Sequence, residues 1–294
     1  MAADTLPKAL WTRRLIDFGS LTKARQTALL LFTGLCSYLL SSRTPDAPVA
    51  LWMAVGLFLS IGGCTALNML LDRDIDARMA RTARRPLPAG RIRPWEAALF
   101  GSVLSLSGLA LSFALDWRFG TVVAAGFAFD LLVYTAWLKR RTALSILFGG
   151  IAGGMPALSG RVLALGRIDA VGLLLAAAIL LWIPAHILTL AMRYAEDYHR
   201  AAVPAWPNRY GPRATRIVIA IANLLNAGML MACAALLRVH VAVLGLLLAL
   251  GLSMVGLAAL QLLRPSERRN WLLFRAASVH MLLSTLLLMI GVLL

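Results

Sequence analysis

A polar segment at residues 68–96 carries acidic and basic side chains at spacings that suit metal-ion chemistry. It reads NMLLDRDIDARMARTARRPLPAGRIRPWE. Asn68, Asp72 and Asp76 recur every four residues, so on a helix they would line one face. Oxygen ligands in this arrangement suit Mg²⁺, which takes one or two carboxylates and fills its remaining positions with water and substrate phosphate. The spacing therefore predicts a magnesium site that serves a phosphorylated ligand.

Basic side chains follow the acidic ones within the same segment. They are Arg78, Arg81, Arg84 and Arg85. Planar guanidinium groups suit bidentate contacts to phosphate oxygens, so the segment favours a metal-bound diphosphate over a bare cation site. The alternative is a surface helix in which aspartates and arginines pair at three- and four-residue spacing. That alternative gives no role to Asn68, which ends an apolar stretch.

The elements that must position these residues are membrane helices. The chain has 294 residues, of which 60% are hydrophobic and 14% charged, with a mean hydropathy of +0.79. A soluble domain has roughly a quarter charged residues, so the composition excludes an ordinary soluble enzyme, a disordered chain and a nucleic-acid-binding module. Apolar runs long enough to cross a bilayer predict an all-α polytopic membrane protein. We expect nine spans, at residues 24–42, 49–71, 97–115, 119–138, 143–165, 170–192, 216–237, 241–263 and 271–293.

The positive charge reports membrane topology. The chain has 29 Lys and Arg residues and a formal charge of +16, and nearly all of these residues fall in alternate connections between the nine spans. The exceptions are Arg43, Arg118, Arg161, Arg167 and Arg238. The positive-inside rule then predicts a cytoplasmic amino terminus and an outer carboxyl terminus. The polar segment at 68–96 is expected at the cytoplasmic edge, and nucleic acid is not an expected partner.

Four further segments complete a recognisable pattern. They are LTKAR at 21–25, YTAWLKRRT at 134–142, GGIAGGMPALSG at 149–160 and LWIPAHILTLAMRYAEDYHRAAVPAWP at 181–207. Together with NMLLDRDIDARMARTARRPLPAG they resemble the UbiA superfamily of intramembrane prenyltransferases, over roughly residues 20 to 207. The wording DRDIDARMART is most similar to its branch of protoheme IX farnesyltransferases, which make heme O.

The resemblance implies an activity and an architecture. The activity would be Mg²⁺-dependent transfer of a farnesyl group from farnesyl diphosphate to a vinyl group of heme B. Heme B would be a substrate and not a redox cofactor. The architecture would be one transmembrane domain over 1–294, a UbiA-type bundle with a cytoplasmic or interfacial segment at 1–23. Cytoplasmic polar loops at 72–95 and 193–215 would cap the active site. It also implies a bacterial inner membrane and, as partners besides lipid, heme A synthase or terminal oxidase assembly.

The resemblance also assigns site residues. Asn68, Asp72 and Asp76 would hold one Mg²⁺, and Glu196 with Asp197 would bind a second ion or position the neighbouring cations. In place of the two spaced aspartates common in the wider superfamily, this chain has His186 and Arg193. The expected diphosphate ligands are Lys23, Arg78, Arg81, Arg85, Lys139 and Arg140.

The side chains of Tyr134, Trp182 and His186, which lie within predicted spans, each allow more than one interpretation. Tyr134 and Trp182 could face the transient allylic cation, although aromatic residues also form interfacial belts. His186 could be an axial heme ligand, a proton acceptor, or a histidine hydrogen-bonded between helices. We assign Tyr134 and His186, with Asp197 and the metal motif, to the candidate catalytic set.

Two other classes of function stay open. A secondary transporter could recognise an organic anion with Arg81, Arg85 and Lys139, but it would carry its charge near the middle of the bilayer. A UbiA-type enzyme could also prenylate another acceptor, such as 4-hydroxybenzoate, a quinone precursor or a chlorophyll-type ring. The sequence separates these acceptors from heme only through the wording of its motifs.

Overall fold

The computed structural model describes residues 5–293, with side chains from residue 11 onward. Residues 1–4 of the expected amino-terminal segment, and residue 294, lie outside the described residues. Every regular element in the described part of the chain is helical. The helices are α1 Thr5–Leu21, α2 Ala24–Ser41, α3 Ala47–Leu71, α4 Arg73–Arg78, α5 Pro94–Leu115, α6 Trp117–Ala128, α7 Ser145–Leu165, α8 Ala170–Ile183, α9 Thr189–Arg193, α10 Ala195–Arg200, α11 Trp206–Leu237, α12 Val241–Leu263 and α13 Glu267–Leu293.

Two of the long helices change their winding partway along. Phe129–Leu138 continues α6 as a π-helix, and Pro184–Leu188 joins α8 to α9 in the same way. Such wide turns are rare, and those inside α-helices frequently lie at functional sites. The 32-residue α11 has a different interruption, a kink at Gly211, whose φ of 81° suits glycine.

Eight helices in the described part of the chain are long and apolar enough to cross a membrane. They correspond to eight of the nine expected spans, which confirms a multi-pass all-α protein. The expected span at 24–42 is α2, which is helical but is not one of the eight. Its 18 residues cover about 27 Å, and Arg25 and Gln26 occupy its first turn.

Small residues let the helices approach backbone to backbone. A Cβ atom added to Gly108 on α5 would lie 2.3 Å from the backbone nitrogen of Ser60 on α3. A Cβ atom at Gly160 on α7 would lie 2.1 Å from the carbonyl oxygen of Gly34 on α2. Close contacts of this kind stabilise helix pairs in lipid, where apolar burial gives little driving force. They fix α3, which carries the polar motif, firmly against α5.

Short capped turns connect the helices at one end of the bundle. Asp46, Asp116 and Asp169 each accept backbone N–H groups at the start of the following helix, at 2.8–3.0 Å. These side chains satisfy amide groups that a helix start would otherwise leave unpaired. The longer connections, at 72–93 and 194–205, lie at the opposite end, which we call the loop end.

Candidate active site

The polar motif crosses from α3 into α4 at the loop end. Asp72 interrupts the helix, with φ −89° and ψ 1°. The spacing nevertheless survives, because Asp72 N–H donates to the Asn68 carbonyl at 2.9 Å and Asp76 N–H donates to the Asp72 carbonyl at 2.8 Å. All three side chains are buried. The expected stripe of Asn68, Asp72 and Asp76 is therefore present across two short helical pieces.

Asp74 faces away from this stripe. Its side chain is 47% exposed and pairs with Arg140, at 2.6 and 2.8 Å. Hydrogen bonding to Arg140 lowers the pKa of Asp74 to about 2. Asp74 therefore carries the same charge as Asp72 in the same loop without facing the motif.

Three basic side chains surround the motif. Lys139 Nζ donates to Asp72 Oδ2, and Arg85 Nη1 donates to Asp76 Oδ2 at 2.7 Å. Lys23 is half-buried between α1 and α2, in a left-handed backbone conformation with φ 46°. Burial and the nearby charges of Arg85 and Lys139 lower the pKa of Lys23, against the opposing effect of acidic neighbours. Burial also acts against the charge of Lys139, but Tyr134 and Asp72 outweigh it and raise the pKa of Lys139.

The π-helical segment Phe129–Leu138 determines where Lys139 points. Lys139 N–H donates to the Tyr134 carbonyl five residues back, at 2.8 Å. In an α-helix these two residues would be about 140° apart around the axis. The wider winding places them on one face, where Lys139 Nζ lies 5.7 Å from the centre of the Tyr134 ring. This local winding brings Lys139 to Asp72 and keeps the Tyr134 ring beside Lys139.

The same segment contributes Asp130, which the sequence analysis missed. Asn68 Nδ2 donates to Asp130 Oδ2 at 2.8 Å, and the Cys64 thiol donates to the same oxygen at 3.4 Å. A lone carboxylate inside the span at 119–138 was the available signal, because ionisable residues within spans are usually functional. We define the polar cluster as Lys23, Asn68, Asp72, Asp76, Arg85, Asp130 and Lys139.

The second polar loop contacts the first through Asp197. This buried carboxylate accepts the backbone N–H groups of Ala80 and Arg81, both at 3.3 Å. Arg81 lies over the ring of Tyr194, 5.3 Å from its centre. Apolar side chains reinforce the contact between the loops, namely Ile75, Met79, Ala201 and Val203. Asp197 therefore fixes the loop that carries Arg81.

Three of the expected site residues lie away from the polar cluster. Arg140 is bound to Asp74 and to the carbonyl of Leu71, at 2.7 Å from the latter. Glu196 is largely exposed and lies 3.6 Å from Arg200. Arg78 is exposed at the end of α4. The structure thus brings together Lys23, Arg85, Lys139 and the metal motif, and leaves these three at the rim.

His186 lies in a second cluster, between α8 and α13. Its ring stacks between those of Trp182 and Phe274, at centroid distances of 4.8 and 4.5 Å. Its Nδ1 atom is 3.3 Å from Ser278 Oγ, and Trp182 Nε1 donates to the carbonyl of Ala277 at 2.7 Å. Trp182 is buried in the bundle. The ring of His186 is therefore held in one orientation.

Two oxygen atoms of the polar cluster are available to a divalent cation. Across residues 5–293, no group of three or more His, Cys, Asp and Glu side chains could hold a metal ion. However, Asn68 Oδ1 and Asp72 Oδ1 are buried and lack a hydrogen-bond partner in the described structure. Buried polar atoms are normally paired, and Mg²⁺ needs few protein oxygens when substrate phosphate and water supply the rest. The two oxygens therefore fit Mg²⁺ bound together with a phosphate ligand.

Known proteins are similar to this chain in sequence or in fold. The chain is 47% identical over 186 residues to a protoheme IX farnesyltransferase of Archaeoglobus fulgidus, covering 63% of this chain and 66% of the relative. It is 38% identical over 272 residues to a protoheme IX farnesyltransferase of Pyrobaculum islandicum, covering 88% of this chain and 93% of the relative.

The fold agrees with a solved structure, that of a UbiA homologue from Archaeoglobus fulgidus bound to GPP and Mg²⁺. The two superpose with a TM-score of 0.70 at 15% identity, over 93% of this chain and 99% of that one. The UbiA prenyltransferase family itself matches residues 30–286. That match spans most of the chain and contains the motif on α3 and α4 together with the π-helical segment. This chain belongs to the UbiA prenyltransferase family.

Proposed function

We propose that this chain transfers a farnesyl group from farnesyl diphosphate to a vinyl group of heme B and so produces heme O. The substrates follow from relatives named protoheme IX farnesyltransferase. The observation that carries the proposal is the pair of buried, unpartnered oxygens on Asn68 and Asp72. Lys139 donates a hydrogen bond to the other carboxylate oxygen of Asp72. Both residues lie at the loop end of a bundle of apolar helices.

Asn68, Asp72 and Asp76 would hold one Mg²⁺. The ion supplies positive charge that stabilises the diphosphate as it leaves. Lys23, Arg85 and Lys139 bind the remaining phosphate oxygens from the protein side, since each is close to the metal motif and presents N–H donors. Arg81 extends this set from the loop that Asp197 fixes. Charged groups placed where negative charge develops, away from water, are commonly the largest contribution to catalysis.

The transfer breaks the allylic carbon–oxygen bond, and the diphosphate departs with the electron pair. The vinyl group then donates its π electrons to the allylic carbon, and water adds to the resulting cation and loses a proton, which leaves a hydroxyalkyl group. Tyr134 presents its ring beside Lys139, where it would stabilise positive charge on the prenyl group. His186 would serve the acceptor, with Nε2 binding the heme iron because Nδ1 engages Ser278.

Arg78, Arg140 and Glu196, the three residues at the rim, would contribute less directly than the polar cluster. Arg78 and Arg140 would contact the diphosphate as it enters from the loop end, and Arg140 would have to leave Asp74 to do so. Glu196 would bind a second ion only by turning away from Arg200. Asp197, which already holds two backbone N–H groups, fits the positioning role better than the metal role.

In the proposed topology α2 also crosses the membrane, which brings the number of spans to nine. Within the segments expected as loops at 72–95 and 193–215, the connections at 72–93 and 194–205 would then cap the site on the cytoplasmic side of a bacterial inner membrane, with the carboxyl terminus outside. The contact between Asp197 and the first loop supports such a cap. Heme O is too apolar to leave the bilayer easily, so heme A synthase or terminal oxidase assembly is the proposed recipient.

Purified protein tests the proposal directly. We expect incubation with farnesyl diphosphate, Mg²⁺ and heme B to give a product whose mass equals heme B plus farnesyl and hydroxyl groups. A parallel incubation with 4-hydroxybenzoate should leave that acceptor unchanged. Prenylation of 4-hydroxybenzoate alone would overturn the acceptor assignment. Modification of neither acceptor, together with uptake of an organic anion by proteoliposomes, would favour a transporter.

A further inference from the structure

Asp130 places a carboxylate inside the span Trp117–Leu138, where a charge is costly. Its Oδ2 atom accepts two hydrogen bonds from α3, at 2.8 Å from Asn68 Nδ2 and at 3.4 Å from Cys64 Sγ. It is not one of the residues proposed to touch the metal or the diphosphate. The contact with Asn68 is the shorter of the two and connects Asp130 to the metal motif.

The side-chain amide of Asn68 has one accepting oxygen and one NH₂ group that only donates. A cation requires the oxygen. Asp130 Oδ2 accepts hydrogen bonds from both Asn68 and Cys64, and an accepting oxygen pairs with the NH₂ group of Asn68 and not with its oxygen. The result is visible in the structure, since Asn68 Nδ2 is bound and Asn68 Oδ1 is buried without a partner, as is Asp72 Oδ1.

We propose that Asp130 is a positioning residue, which holds the Asn68 amide so that its oxygen faces the divalent cation. This inference rests on the proposed metal role of Asn68. Outer groups that orient metal ligands typically contribute 10- to 100-fold to metal affinity. The π-helical winding of Phe129–Leu138 belongs to the same arrangement, because one segment supplies the partner of Asn68 and, at its end, the partner of Asp72.

Mn²⁺ binding tests this role without relying on turnover. The spectroscopic probe is electron paramagnetic resonance of Mn²⁺ titrated with purified protein in detergent, with farnesyl diphosphate at one fixed concentration throughout and a protein-free titration as the baseline. We expect Asp130→Ala to weaken Mn²⁺ binding by about 10- to 100-fold. We expect Asp130→Asn to lose less Mn²⁺ affinity than Asp130→Ala, because its amide oxygen can still accept from Asn68 although its NH₂ group also offers a donor to the Asn68 oxygen. Cys64→Ala, which removes the other donor to the same oxygen, is the matched control and should bind Mn²⁺ like the wild type.

The role also requires that Asp130 acts through Asn68. Asn68→Ala and the double variant Asn68→Ala, Asp130→Ala should therefore bind Mn²⁺ equally weakly, since residues in one network are not additive. Unchanged affinity in Asp130→Ala, equal loss in Asp130→Asn, or additive losses in the double variant would each overturn the inference. If Asp130→Ala fails to fold, Asp130→Val replaces it. Absence of Mn²⁺ binding by the wild type would instead contradict the metal site itself.

Discussion

Asp72→Asn should separate the metal role of this residue from its charge. Asp72 has one oxygen on Lys139 and one buried oxygen without a partner in the described structure. The amide keeps the size of the side chain and removes one negative charge from the cation site. Removing one such electrostatic contribution typically lowers kcat about 10²- to 10³-fold, or roughly 2.7–4 kcal/mol. We expect a loss of that size at saturating Mg²⁺.

Asp72→Asn should lower kcat, but it should not weaken the binding of farnesyl diphosphate. The polar cluster contains three acidic side chains, Asp72, Asp76 and Asp130, and three basic ones, Lys23, Arg85 and Lys139. The substitution leaves a net positive charge and reduces the ion pair of Lys139 to a hydrogen bond with a neutral amide oxygen. Unit charges 4 Å apart near a protein surface interact by about 4 kcal/mol, which solvation largely offsets. We therefore expect farnesyl diphosphate, in the absence of metal, to bind as tightly as to the wild type or more tightly.

The assay combines turnover, followed by mass spectrometry, with metal-free binding of labelled farnesyl diphosphate. Asp74→Asn is the matched control, because Asp74 carries the same charge two residues away and pairs outward with Arg140. Its kcat should change less than twofold, because the pair with Arg140 is exposed and a freed Arg140 would alter binding of the entering diphosphate and so KM rather than kcat. Near-normal turnover of Asp72→Asn, or an equal loss in Asp74→Asn, would refute the reasoning.

Three further outcomes follow from the structure. Gly108→Ala should lower Tm by about 2–10 °C in a thermal scan, because the added Cβ meets the backbone of Ser60. Gly256→Ala is the control and should not lower Tm, because no atom lies within 4 Å of its Cβ position. Binding of heme B to the wild type should shift the heme absorbance spectrum. His186→Ala should remove this shift while farnesyl diphosphate binding persists, and the same shift in the variant as in the wild type would contradict an axial role. Chelation with EDTA should abolish transfer and added Mg²⁺ should restore it, whereas full activity in EDTA would contradict a metal requirement.

The membrane class and the metal motif could be predicted from the sequence because both are local patterns. Apolar runs of sufficient length identify spans, and a repeat of four residues identifies one helix face. The repeat held even though the helix breaks at Asp72, since the backbone hydrogen bonds to the fourth residue back persist on both sides. The span expected at 24–42 is helical but is not one of the eight long apolar helices, because Arg25 and Gln26 reduce the hydropathy of a helix that is already short.

The remaining site depended on tertiary contacts and on an unusual helical winding. Periodicity arguments assume 3.6 residues per turn, so they give no signal for the π-helix that turns Lys139 toward Asp72. Asp130 was hidden inside an apolar run. Charge alone also could not show that Arg140 binds Asp74, or that Asp197 accepts backbone N–H groups from the other loop.

The wide turn of Phe129–Leu138 makes this enzyme sensitive to the length of one segment. Inserting a single residue between Tyr134 and Lys139 would leave the span long enough to cross the bilayer. The lysine would then turn by the rotation of one residue, about 100° in an α-helix, relative to Tyr134 and would lose its carboxylate partner. One added residue here should therefore remove the contact with Asp72 even where substitutions of the lipid-facing side chains are tolerated.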